Sequence, residues 1–552
     1  MLLSPEARQI LGFDYCLQQL KPLSPYGQAL KTQVVPFAPG QEAELNQELD
    51  AVEGLLLLLA DSTTEGHILK IRHYLAQMPD WREPLNRVAA GGILSDVELF
   101  SLKQNLLFII AIKFSLKEIK SNPLSGLSLP DFPLLMRLLD PDKTDSPSFY
   151  LSDSFSERLA EVRSKIREHQ RTWNRLTDNV RSKAAEHVGL KFNPSGEISV
   201  PRHDRNIRMR VESSKLFTVS RETYTDIYYE LKPTSQEQAV ALELERLEKQ
   251  EAEESEKVRT RLSQAVRRES DKLRRALQSL ATLDLAVSKA VLALEWNGSR
   301  PVVLASTSPL VLLMEEARHP KVEADLAAQG KTFVPISICL AQGVSLITGA
   351  NMGGKTVTLR AVGLLAALTA YGMFVPAEHF VVSLVTHIAI LAGDYRAELT
   401  GLSRFGHEVA GLNNLLTLAP ERALLLIDEL ASSTNPVEGS ALAQAVVEHL
   451  HEQPSLSLLT THYDRLADLP GVAHWQVIGL SQVHGNELQE YLSSDSLQEL
   501  SELMDYRLSR VESPRAIPRE ALRVARYLGL PDSVLQRATE LVQRTQRRRT
   551  TV

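Results

Sequence analysis

The chain has 552 residues, 43% of them hydrophobic and only 6% aromatic, with a formal charge of −7. That length implies three or four structural units with sizeable cores. The acidic balance argues against a surface coated in phosphate contacts and leaves local basic patches as the places where nucleic acid could bind.

Two cysteines, Cys16 and Cys339, lie far apart and make a disulfide framework unlikely, so a reducing compartment fits better. The opening Met1-Leu2-Leu3-Ser4-Pro5-Glu6 lacks the basic and apolar regions of a secretory leader. The longest apolar runs, Leu55 to Ala60 and Leu106 to Ile112, are too short to span a bilayer. The expectation is a soluble cytoplasmic protein without membrane contact.

Residues 1–185 show helical periodicity broken at Pro-containing loops such as Ser24-Pro25-Tyr26-Gly27 and Asp140-Pro141-Asp142. They predict a helical core that ends in a first long helix. Residues 186–235 change character. Ile198-Ser199-Val200, Leu216 to Val219 and Tyr224 to Tyr229 predict short strands in a small mixed insert. This insert carries the best basic cluster, with Arg202, Arg205, Arg208 and Arg210. On a strand, Arg208 and Arg210 would share one face. That suits phosphate contacts without sequence readout; a solvated loop is an equally good account.

From Gln236 to Trp296 there is neither Gly nor Pro, and Leu242, Leu247, Val258, Leu262 and Val266 belong to an interrupted apolar face. A continuous helix there would be about 90 Å long, too long for one compact domain. The segment 236–300 therefore predicts a lever, or an antiparallel partner of the helix at about 156–186. Its first half is acidic and its second half basic. A solvated helix with internal charge pairs is favoured over a binding surface. Residues 301–480 alternate strands and helices, as an α/β sheet requires. Residues 481–552 end in helix and the basic run Arg547-Arg548-Arg549.

The chemistry concentrates in the α/β part. Gly349-Ala350-Asn351-Met352-Gly353-Gly354-Lys355-Thr356 fits the phosphate-loop pattern G-x-x-x-x-G-K-[ST]. An apolar strand, Val344 to Thr348, precedes it, and a helix is predicted from Val357. The glycines let backbone amides turn around a phosphate, and the helix N-terminus adds its dipole. Lys355 would reach the β- and γ-phosphates of ATP, and the Thr356 hydroxyl would hold Mg²⁺. About 70 residues on, the strand Ala423 to Ile427 ends in Asp428-Glu429. Asp428 fits the Mg²⁺ carboxylate and Glu429 the base that orients or deprotonates water. A third strand, Leu458-Leu459-Thr460, leads to Thr461-His462-Tyr463, where His462 could sense the γ-phosphate.

Together, Thr348 to Thr356, Asp428-Glu429 and Thr460 to Tyr463 resemble the MutS family of DNA mismatch-repair ATPases. Glu316-Ala317-Arg318-His319-Pro320 is similar to the segment that leads into that family's ATPase domain. Gly401-Leu402-Ser403-Arg404-Phe405 stands where the family has a Gly-x-Ser-Thr-Phe signature. The resemblance implies a multidomain protein: an α-helical core and lever domain with a small clamp insert, then an α/β ABC-type P-loop ATPase domain. It also implies a homodimer, with 481–552 as a helical dimerisation segment. Ser403 would face the γ-phosphate bound to the other subunit, and Asn351 would touch phosphate within the loop.

Thr356 to Leu364, Asn435-Pro436-Val437-Glu438-Gly439 and Ala525 to Pro531 resemble the shorter MutS-like branch linked to branched DNA. Neither a preceding mismatch-recognition domain nor a following nuclease-like domain is expected. Phe155-Ser156-Glu157 matches the mismatch reader only as letters. The family's glycine-rich stretch after the two carboxylates is replaced by Leu430-Ala431-Ser432-Ser433-Thr434, which bears on coupling between the two sites of a dimer. The implied function is an ATP-driven clamp on mismatched or branched DNA. The Asn-Pro-x-Glu-Gly segment also resembles MutS-like ATPases that reactivate cobalamin-dependent lysine or ornithine aminomutases, in which case the insert would grip a protein.

Overall fold

The structure is a computed structural model that describes residues 1–119, 127–143, 148–349, 354–392, 404–431, 434–479, 504–511, 522, 525–526 and 530–549. The chain divides into two compact units. One comprises Met1–Gln77, Ile112–Ser128 and Gln278–Val552; the other comprises Met78–Ala111 and Leu129–Leu277. The residues expected to form one helical core, 1–185, are shared between the two units. The Ile388 amide donates to Leu2 O at 2.8 Å, so the first residues pair with a strand of the α/β part.

In the second unit, helix Glu157–Val188 packs antiparallel to helix Ser235–Arg268. Arg163 pairs with Glu251 at 2.7 Å, and Arg261 reaches Phe155 O at 2.5 Å. Sequence explains the ends of both helices. Ser156 caps the first, and Gly189 closes it in the left-handed region at φ 72°. Thr234 and Glu237 form a reciprocal capping box on the second. Phe155 is buried in the turn before Ser156, so Phe155-Ser156-Glu157 is a helix start. The returning segment is not one continuous helix. It breaks at Glu269 (φ −100°, ψ 6°) into Ser235–Arg268 and Ser270–Glu295. Its charges are used both within the helix, as in Arg246–Glu243 and Lys257–Glu254, and across to Arg163 and Asp96.

The insert between these helices is a three-stranded antiparallel sheet of β1 (Glu197–Pro201), β2 (Phe217–Glu222) and β3 (Asp226–Leu231), in the order β1-β3-β2. Ile198, Val200, Ile227 and Tyr229 bury one face with Val211 and Val188. Arg205–Ser213 is a helix, not the strand expected for Arg208 and Arg210. Asp204 caps it, accepting from the Ile207 amide at 3.0 Å. At about 100° per residue, Arg208 and Arg210 then point to nearly opposite sides.

The first unit holds two sheets. β4 (Val302–Leu304), β5 (Val311–Ala317), β6 (Ile336–Ala341) and β8 (His379–Ser383) form one, in the order β4-β8-β5-β6. The other has the order β13-β12-β7-β11-β10-β9, from β7 (Gly343–Thr348), β9 (His387–Leu391), β10 (Ala423–Ile427), β11 (Leu456–Thr460), β12 (Ala473–Gly479) and β13 (Asp505–Arg510). All its pairings are parallel except β12 with β13. Strands β7, β10 and β11 are buried at every position. Continuous apolar runs such as Ala423-Leu424-Leu425-Leu426-Ile427 are what a parallel sheet covered on both faces demands. One cover is helix Lys355–Ala370, apolar nearly all round. A Cβ on its Gly363 would sit 2.7 Å from both Leu11 and Leu426 side-chain carbons.

The Arg318-His319-Pro320 segment has a structural role. Arg318 donates to Trp296 O at the end of helix Ser270–Glu295 and pairs with Glu323 at 3.0 Å, while His319 caps helix Pro320–Ala327. By length and composition alone, Asp96–Glu118 and Ser270–Glu295 could cross a membrane; 50% and 72% of their most apolar windows are buried within the protein. That burial fits packed core helices.

Candidate active site

The site lies at the carboxyl ends of β7, β10 and β11, where parallel α/β sheets place their ligands. Gly349 (φ 133°) and Gly354 (φ 77°) bound the phosphate loop in conformations open to glycine. A Cβ on Gly349 would meet Val477 Cβ at 2.9 Å, so β12 backs the loop directly. Ala350, Asn351, Met352, Gly353 and Ser403 lie outside the described residues.

Strand register brings the other predicted residues together. Ile427 pairs with Leu459 and Thr460 with Ile347, which sets Asp428 beside Thr460 and both beside the loop. Thr356 Oγ1 donates to Asp428 Oδ2 at 2.7 Å. Thr460 Oγ1 donates to Asp428 Oδ1 at 2.6 Å and accepts from the Glu429 amide at 2.9 Å. His462 Nε2 lies 2.8 Å from Glu429 Oε1. The Lys355 side chain is only 4% exposed. Its Nζ donates to Gly349 O at 2.8 Å and lies 3.2 Å from His462 Nε2 and 3.9 Å from Glu429 Oε1. Burial holds the Lys355 ammonium below the usual lysine range, and the carboxylates of Glu429 and Asp428 act against that shift.

Glu429 sits at φ 51° and Ala431 at φ 57°, a left-handed backbone that costs a non-glycine residue about 1–2 kcal/mol. Neighbours hold it in place. Tyr463 Oη donates to Ala431 O at 2.9 Å, and the Ala431 amide donates to the Glu408 carboxylate. Gly439 makes room, since a Cβ there would lie 2.4 Å from Tyr463 Oη and 2.7 Å from Ala431 O. Asn435 caps helix Pro436–His451 through the Val437 amide. Much of the Asn-Pro-x-Glu-Gly segment is thus accounted for by turn and packing chemistry.

Sequence reasoning quoted Thr460 and Tyr463 only as parts of a motif and missed their bonds. It also missed the buried His474, whose Nε2 lies 2.8 Å from Thr348 Oγ1, and Tyr506, which packs on Gly354. The signal for Thr460 is a hydroxyl on an otherwise apolar strand, next to the strand that carries the two carboxylates.

The insert arginines form no comparable cluster. Arg202 pairs with Glu222 and donates to Thr223 O at 2.9 Å, and Arg208 lies 3.6 Å from Glu212. Arg205 and Arg210 are exposed and make no ion pair among the described residues.

A phosphate-loop strand flanked by a strand ending in Asp-Glu and one leading to His defines the class of P-loop nucleotide-binding α/β domains. Residues 345–546 match the family model for MutS domain V. A DNA mismatch repair protein MutS from Carboxydothermus hydrogenoformans is 27% identical over 90% of this chain and 57% of its own length. An Endonuclease MutS2 from Caldicellulosiruptor saccharolyticus is 30% identical over 59% of this chain and 40% of its own. A second Endonuclease MutS2, from Carboxydothermus hydrogenoformans, is 36% identical over 41% of this chain and 28% of its own. Residues 345–546 thus carry a MutS-family domain, and the chain is similar to MutS and MutS2 proteins. It spans about half the length of the curated relatives it matches.

Proposed function

We propose that this protein is a Mg²⁺-dependent ATP hydrolase that works as a homodimeric clamp on DNA, with mismatched or branched duplexes as its targets. The observation that carries the ATPase reading is the convergence at one sheet edge of two bonded sets, Thr356 with Asp428 and Lys355 with His462 and Glu429. The donor set suits Mg²⁺, because a hydroxyl and a carboxylate oxygen converge within 2.7 Å. No cluster of three or more His, Cys, Asp or Glu occurs among the described residues. Mg²⁺ needs none, since it takes one or two carboxylates and completes its shell with water and phosphate oxygens. When bound, it neutralises charge on the β- and γ-phosphates.

The chain's own residues do the rest. Lys355 leaves Gly349 O for the phosphates. Glu429 accepts a proton from, or orients, the attacking water, and His462 fixes the Glu429 carboxylate. Asn351 and Ser403 complete the phosphate contacts, Ser403 from the opposite subunit.

The names of the relatives support DNA as the target. The paired helices Glu157–Val188 and Ser235–Arg268, with the β1-β3-β2 insert, supply the arms of the clamp. The test is the ATPase rate of the purified chain with and without duplex, mismatched and branched DNA at fixed physiological salt. Stimulation by mismatched or branched DNA is the expected result. Hydrolysis without DNA binding would redirect the reading to a protein partner.

A further inference from the structure

Thr460 has no part in the functional reading so far, yet it bonds the Asp428 carboxylate and the Glu429 backbone amide. It is fully buried, and a buried hydroxyl must use its hydrogen-bonding capacity. Thr460 spends its proton on Asp428 Oδ1 at 2.6 Å and a lone pair on the Glu429 amide at 2.9 Å. The other Asp428 oxygen takes the Thr356 hydroxyl at 2.7 Å. Asp428 is therefore fixed at both oxygens, one of them turned to the phosphate loop.

Glu429 gains as well. Its backbone is left-handed at φ 51°, a conformation that persists only when its surroundings over-determine it. Its amide is anchored by Thr460 and its carboxylate by His462. We propose that Thr460 is a positioning residue that sets the metal-binding carboxylate and the water-activating carboxylate together. It couples them, because one hydroxyl bonds both residues. The inference rests on the ATPase reading above.

The distinguishing experiment uses the full chain and three variants. Thr460→Val keeps the shape and removes the hydroxyl. Thr460→Ala removes the hydroxyl with less bulk, in case Val destabilises the fold. Thr460→Ser restores the hydroxyl. Binding of a fluorescent ATP analogue is followed first in EDTA and then during a Mg²⁺ titration, and kcat and KM are measured separately.

Loss of a residue that orients a metal ligand costs about 10- to 100-fold in metal affinity or activity. The expected result is a Mg²⁺ midpoint raised by that factor in Val and Ala and restored in Ser, with binding in EDTA unchanged. The fall should appear in kcat more than in KM. An unchanged Mg²⁺ midpoint in Val and Ala, or a Ser variant as defective as Val, overturns the proposal. If the wild-type chain binds Mg²⁺ and nucleotide together but does not turn over, hydrolysis falls and the midpoint still decides the role of Thr460. If it binds no nucleotide, both readings fall together.

Discussion

The carboxyl edge of the six-stranded sheet and the three-stranded insert treat charge in opposite ways. At the sheet edge, Lys355 is 4% exposed, and Asp428 and Glu429 are each held by more than one partner. In the insert, Arg202–Glu222, Arg208–Glu212 and Arg221–Glu197 are pairs in which the arginine is substantially exposed. Such pairs contribute little and are screened by salt. The difference teaches where a sequence constrains function. A network tied together by the buried Lys355 and Thr460 demands each residue type at its place, whereas an isolated surface pair tolerates exchange. The sheet edge should therefore be sensitive to single substitutions and insensitive to salt, and the insert the reverse.

Substitution of the nucleotide residues tests the first half of that contrast most severely. Lys355→Ala removes a buried ammonium at the phosphate loop and should weaken ATP binding by about 100-fold or more, as read by equilibrium binding. Glu429→Gln should keep nucleotide bound while lowering hydrolysis by about 10²- to 10⁴-fold, as read by single-turnover kinetics. Wild-type turnover in either variant would break the comparison at its strongest point.

The next effect is on stability against pH, and it again belongs to the buried side. His319 is 1% exposed, and a Cβ on Gly12 would lie 3.1 Å from its ring. Burial, with the nearby Arg360 charge adding to it, lowers its pKa from 6.5 to about 4. Between these values the unfolded chain binds a proton that the folded chain refuses. The stabilising contribution is fully present above pH 6.5 and is lost as pH falls towards 4, by about 3 kcal/mol. Urea unfolding across that window should show the loss. His319→Asn, which keeps a capping acceptor, should flatten the curve. An equally steep curve in the variant would assign the effect to other groups.

The contrast also explains what the sequence disclosed. The phosphate loop, Asp428, Glu429 and His462 could be read because each terminates an apolar run fixed by burial on both faces of the sheet. The strands of the insert were legible from Ile198, Val200, Ile227 and Tyr229, whose alternation is set by one buried face. The helix Arg205–Ser213 was not. Its apolar face is only Ile207 and Val211, one turn apart, and the Asp204 cap that starts it was hidden in a run read as basic. The break at Glu269 was invisible too, since neither Gly nor Pro marks it. Nothing in the local sequence reveals that Leu2 and Leu3 pair with β9 across some 385 residues, because register between distant segments is settled by tertiary packing.

A smaller effect is expected at Ala431, the residue that carries the altered stretch after the two carboxylates. Its φ of 57° suits glycine. Ala431→Gly relieves the left-handed strain but loosens the unfolded chain, and its methyl is fully buried. The strain relief of about 1–2 kcal/mol exceeds the opposing backbone term of about 0.4–1 kcal/mol. After subtracting about 0.8 kcal/mol for the buried methyl, a net gain of at most about 1 kcal/mol in urea unfolding is predicted. A loss instead would show that packing of the Ala431 methyl, not backbone geometry, governs this turn.

The smallest effect belongs to the insert and tests the second half of the contrast. Arg205 and Arg210 make no ion pair among the described residues, while Arg202 is committed to Glu222 and Thr223. If the insert meets DNA phosphates, an uncommitted guanidinium contributes by releasing about one counterion, with no base readout. Arg205→Ala and Arg210→Ala should each reduce the salt slope of duplex binding by about one. Arg202→Ala should change it less, because its charge is already answered. The loss should be equal for matched and mismatched duplexes, since phosphates carry no sequence. Equal slopes in all three variants would remove the insert from the DNA surface. A loss confined to mismatched DNA would mean that these arginines read more than the backbone.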